Sequence, residues 1–158
     1  MQTTDATQQL ILRLSDRTAL LAINLLYLII WGCAGFDKLR TGVPSWFGDK
    51  FGKTFLAQIP GLTATFWLLT ASELLAFALS LVALCRLEFF SRKPLFLILT
   101  LAWSLIVFTQ LNLGLWLTSD FNATPQMFAF FAGTLVALSY IRSFTLRPSV
   151  DRNPFPTT

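Results

Sequence analysis

No histidine occurs in this 158-residue chain, and its two cysteines, Cys33 and Cys85, stand alone rather than in a Cys-x-x-Cys pair. Haem and metal centres held by side chains draw on His or clustered Cys, so no such cofactor is expected. No two acidic residues fall at helical spacing inside the apolar stretches, which removes a carboxylate metal site as well. Charge is also scarce. Asp, Glu, Lys and Arg make up 13% of the residues, half the ~25% of ordinary soluble domains. Tyrosine is down to 2 against 16 Phe and 5 Trp, a bias toward lipid-facing and interfacial aromatics. The sequence pI of about 9.5 would suit a nucleic-acid partner. The basic residues flank apolar runs instead of gathering on one face, so they read as topology signals and no nucleic acid is expected.

What the chain has in quantity is hydrophobic sequence, 54% of residues, with a mean hydropathy of +0.63. Windows with almost no charge predict four transmembrane helices over residues 18–36, 62–84, 94–118 and 124–141. Each meets the ~20 apolar residues needed to cross the hydrocarbon core. A helix that is apolar nearly all round either spans a membrane or sits in a large core, and a chain this short cannot wrap four such helices. The expected fold is an all-α membrane protein, a single integral domain forming a four-transmembrane-helix bundle in a lipid bilayer. The polar start, Met1 to Gln9, and the long apolar run after it fit an uncleaved anchor better than a signal peptide.

Orientation follows from Lys and Arg. Arg13, Arg17, Arg86, Arg92, Lys93, Arg142, Arg147 and Arg152 fall on one side, and Lys38, Arg40, Lys50 and Lys53 on the other. Eight against four predicts both termini in the cytoplasm. The connection near Thr118 to Thr124 is short, which makes the last two helices an antiparallel hairpin. Pro94 and Pro125 suit helix starts, where the missing N–H would be unpaired anyway. The first loop carries Phe47, Phe51 and Phe55 at four-residue spacing with Trp46 alongside. This spacing predicts a short amphipathic outer segment lying in the interface as a lid, although Gly48 and Gly52 each weaken a helix by ~1 kcal/mol.

Polar residues inside the spans fall on helical stripes. Asn24, Trp31 and Lys38 share one face of the first span, and Thr63, Thr70, Glu73 and Ser80 one face of the second. Thr100, Trp103, Gln110 and Gly114 follow in the third. The fourth offers Gln126, then Ala129, Gly133 and Ala137, a small-xxx-small series that lets another helix pack closely. Glu73 stands out, because an ionised side chain at that depth costs at least ~2.5–3.5 kcal/mol. Two readings stay open: a proton-handling or ligand-binding site, and a neutral, hydrogen-bonded acid joining two helices. Counted from the span ends, Asn24 and Glu73 both lie roughly 16–18 Å down and are expected to meet. With only an amide partner Glu73 is expected to be largely neutral, able to donate to a carbonyl or pass a proton. Asp37 and Lys38, adjacent at the end of the first span, read as a helix-terminal charge pair. The candidate ligand or proton site comprises Glu73, Asn24, Lys38, Gln110, Trp103 and Thr70. Cys33 and Cys85 belong at opposite membrane faces, far beyond the ~7 Å Cα limit for a disulfide, and read as small apolar fillers.

Four spans, Ala34-Gly35-Phe36-Asp37-Lys38-Leu39 closing the first, an aromatic outer loop, and Ser72-Glu73-Leu74-Leu75 in the second together resemble the DoxX-like family. The resemblance covers roughly residues 15–142. It implies a small four-helix membrane subunit or accessory of a quinone-linked or sulfur-linked redox system, with Gly35, Lys38 and Glu73 as the matched positions. Asp37 stands where small or polar residues are common. The expectation is a non-catalytic subunit of a redox or electron-transfer complex in a bacterial inner membrane, contacting a quinone or lipid-like ligand near Glu73. It would partner other membrane subunits or further copies of itself. The alternatives are a proton-coupled small-solute transporter and an assembly or chaperone factor. Fold alone does not choose among them.

Overall fold

The computed structural model describes residues 2–91 and 93–146. Arg92, Arg147 and Arg152, which enter the charge count above, lie outside the described residues. Five α-helices follow in order: α1 (Gln2–Thr41), α2 (Ser45–Phe51), α3 (Leu62–Cys85), α4 (Leu95–Leu117) and α5 (Thr124–Leu146). Two 3-10 turns intervene at Phe55–Ala57 and Glu88–Phe90, and no strand occurs among the described residues. Helices α1, α3, α4 and α5 are each long and apolar enough to cross a membrane. The chain is an all-α integral membrane protein.

Helices α3 and α4 start and stop close to their apolar windows, α5 runs five residues past the end of its own, and α1 exceeds its window at both ends. It runs 40 residues without a break, about 60 Å at 1.5 Å per residue, and continues through Asp37, Lys38 and Arg40 to Thr41. Gly42, at φ +66, ends it, and its N–H donates to the Lys38 carbonyl at 2.9 Å. A left-handed residue after the last turn is glycine's usual role at a helix end.

The lid is shorter than the phenylalanine spacing suggests. Pro44 takes the N-cap position of α2 and Gly52 the C-cap, so the helix is seven residues long. Phe47 is buried and Phe51 half-buried, while Phe55 falls in the following 3-10 turn and is exposed. The glycines that weaken the helix also end it, and the expected three-ring face is reduced to two rings.

Packing proceeds α1 on α3, α3 on α4 and α4 on α5. Glycine permits the first contact: a Cβ at Gly35 would lie 2.7 Å from Leu74 Cδ2, and one at Gly32 3.1 Å from the Phe77 ring. Two hydrogen bonds close α5 back onto α1. The Tyr27 hydroxyl meets Thr134 Oγ1 at 2.7 Å, and the Tyr140 hydroxyl donates to Asp16 at 2.8 Å. Trp31 fills the centre at 1% exposure. Its Nε1 donates to Ser104 Oγ at 2.8 Å, and its ring lies 4.9 Å from Phe108.

The small-residue series on α5 does not mediate packing within the chain. Ala129 and Gly133 are exposed, and no atom comes within 4 Å of a Cβ built at Gly133. Thr134, Leu138 and Ile141 face inward instead, where larger side chains gain more contact than a small stripe offers. Gln126 is exposed as well. At the end opposite the lid, the buried Glu88 carboxylate accepts the backbone N–H groups of Phe96 (3.1 Å) and Leu97 (3.0 Å). It thereby satisfies donors left open at the start of α4.

Candidate functional site

The stripes of α1 and α3 face each other. Thr70, Glu73 and Ser80 are buried on α3, with Thr63 exposed nearer its start. Asn24 and Trp31 are buried on α1, and Lys38 is partly so. The antiparallel register sets Asn24 beside Ser80, their polar side-chain atoms 2.6 Å apart, with Ser80 Oγ also donating to the Asn24 carbonyl at 3.0 Å. The same register sets Lys38 beside Glu73.

Glu73 therefore does not meet Asn24. Both of its oxygens accept from the Lys38 ammonium at 2.8 Å. Equal depths from the span ends mislead because α1 extends five residues past Phe36 while the start of α3 lies opposite the first loop. Lys38 also does not pair with Asp37, and the amide partner expected for Glu73 gives way to the Lys38 ammonium. Glu73 is 1% exposed and the Lys38 side chain 24%. The lysine's aliphatic stem reaches along apolar surface to put its charge on a buried partner.

The remaining candidates separate. Thr70 Oγ1 donates to the Phe66 carbonyl of its own helix at 2.8 Å. Trp103 Nε1 donates to the Ser72 carbonyl at 2.9 Å, fastening α4 to the turn of α3 that carries Glu73. Gln110 is exposed. No buried polar side-chain atom among the described residues lacks a partner.

Above the ion pair, at the lid end, α1, α2, α3 and α4 enclose an open cleft of about 1390 Å³. Lys38 and Gln110 line it, whereas Glu73, Asn24, Thr70 and Trp103 do not. Ile30, Leu69 and Leu111 form apolar walls, and Trp46, Phe47 and Phe51 of the lid form a roof. The roof is pinned in three places. Phe47 packs edge-on against Phe66 at 5.4 Å between centroids, the Phe51 ring lies 3.6 Å from a Cβ built at Gly114, and Lys50 pairs with Asp120 at 2.9 Å. Both cysteines are free and exposed, so neither fills the core, and Cys33 lines the cleft. No group of three or more His, Cys, Asp or Glu side chains suited to a metal occurs among the described residues.

The sequence missed the cleft itself. Its lining comes from four separate helices, and no local pattern reports that they leave a gap. It also missed Glu88, whose only signal is a lone acid in an apolar, basic loop. Comparison with family models, curated proteins and solved structures yields no match.

Proposed function

We propose that this chain is a small, non-catalytic membrane subunit whose cleft binds a lipid-like amphiphile. One observation carries the reading: an apolar, aromatic-roofed cleft of about 1390 Å³ descends onto Lys38, itself tied to the buried Glu73. The space exceeds the ~300–1000 Å³ of ordinary small-molecule pockets, which favours a chain-bearing ligand over a small solute. Apolar walls suit chains, and the polar residues Lys38 and Gln110 suit a head group. The DoxX-like resemblance supports a redox-complex setting, with a quinone as one occupant and a phospholipid as another. Both termini are cytoplasmic in this reading, and the cleft opens on the outer side of a bacterial inner membrane.

A photoreactive amino acid at Leu69, inside the cleft, tests the binding. The control is the same residue at Val136, exposed on the outer face of α5. Adducts at Leu69 are expected to be enriched in one amphiphile class, quinone or phospholipid, while those at Val136 mirror the bulk membrane. Matching adduct profiles at both positions would remove the site. Copurification with a redox-active partner in mild detergent is expected, and a solitary chain would remove the redox setting.

Orientation is checked separately. In a background with Cys33 and Cys85 changed to serine, Ser45→Cys at the start of the lid should react with an impermeant maleimide in intact cells. Reaction only after lysis would reverse the topology.

A further inference from the structure

Four charged side chains line the cleft: Asp37, Lys38, Arg40 and Lys50. Two are already matched, Lys38 by Glu73 at 2.8 Å and Lys50 by Asp120 at 2.9 Å. Asp37 and Arg40 make no ion pair among the described residues. They stand three positions apart in the last turns of α1, a spacing that makes them neighbours on one helix face, ~5–6 Å between Cβ atoms. Over these six groups the formal charge cancels. A purely anionic head finds no net positive field here, and an uncharged head leaves the exposed acid and guanidinium without counter-charges. A head carrying both signs satisfies both.

We propose that the cleft selects a zwitterionic phospholipid, its phosphate on Arg40 and its ammonium on Asp37, with its chains along Ile30, Leu69 and Leu111. The proposal rests on the amphiphile reading above and names the ligand class. Arginine's planar fork matches phosphate through paired hydrogen bonds. The carboxylate of Asp37 faces the ammonium, and the aromatic roof adds ring faces that attract a cation. Asp37 and Arg40 at the end of α1 are otherwise ordinary helix-terminal charges, for which Arg40 would merely complement the helix dipole. The two roles differ in what lipid selectivity does when either side chain is neutralised.

The test uses the full chain in nanodiscs containing equal amounts of phosphatidylethanolamine, phosphatidylglycerol and diacylglycerol with identical acyl chains. Adducts at photoreactive Leu69 are normalised to those at Val136. Wild type is expected to enrich the zwitterionic lipid over the anionic one by about tenfold, the scale of one charge-assisted hydrogen bond. Arg40→Gln should abolish that preference while total lipid capture persists. Asp37→Asn, which leaves the cleft with one net positive charge, should turn the preference toward phosphatidylglycerol. Soluble phosphoethanolamine should not displace the lipid, because it lacks the chains. Equal capture of both charged lipids by wild type, indifference to Arg40→Gln, or displacement by the soluble head group would each overturn the assignment. Adducts at Leu69 identical to those at Val136 would instead take down the cleft reading beneath it.

Discussion

Lys38→Leu should destabilise the protein by about 3–5 kcal/mol, because it strands a buried carboxylate without its counter-charge. Glu73 is 1% exposed and has Lys38 on both oxygens, so the substitution removes its one counter-charge in the protein. The double variant Lys38→Leu/Glu73→Leu should recover most of that loss, since an apolar pair of similar volume avoids the desolvation cost that the ion pair has to offset. Glu73→Gln should fall between them, as its amide oxygen still accepts from Lys38. Equilibrium unfolding of these proteins together with the single variant Glu73→Leu in mixed micelles reads the cycle. A double-variant loss equal to the sum of the two single losses would mean that the two side chains contribute independently, and the pair would cease to be the organising contact between α1 and α3. The functional arm differs in direction. The double variant is expected to fold and yet to lose specific adducts at Leu69, because Lys38 forms part of the cleft surface.

The second large effect is expected at Trp31→Ala, about 3–5 kcal/mol. The indole is 1% exposed, packs on Phe108 and ties α1 to Ser104 of α4. Its truncation opens a void beside Ile30 and Ala34, which line the cleft. Trp31→Phe should cost far less, because Ser104 keeps its own bond to the Thr100 carbonyl and the ring contact survives. Unfolding in the same micelles separates the variants, and equal losses for Ala and Phe would assign the effect to the hydrogen bond instead of the volume.

The helices and their inward stripes were legible in the sequence because hydropathy and helical period are local properties. Asn24, Trp31, Thr70, Glu73 and Ser80 all face the interior as their spacing indicates. Partnership was not legible, because it depends on the axial register of two helices. Apolar run ends are poor rulers for register when one helix, α1, carries charged residues through its last turns and the other, α3, begins opposite a loop. Fourteen positions separate Asn24 from Lys38, Glu73's true neighbour. The α5 small residues fail for a different reason. Small side chains permit close approach without selecting which neighbour approaches, and bulky residues on the adjacent face won the contact. Exposed Cys33 and Cys85 show the same limit, since a lone thiol carries no periodic signal of its direction.

One consequence follows from the unbroken length of α1. A single hydrogen-bonded rod joins Asp16, bonded to Tyr140 near one end of the bundle, to Lys38 at the other. Such a rod transmits axial displacement almost without loss. Sliding it by two residues' rise, ~3 Å, would carry Lys38 out of level with Glu73, whose contacts now measure 2.8 Å. Whatever grips the helix where it emerges opposite the lid therefore sets the vertical alignment of the charges beneath the cleft, on the far side of the bilayer.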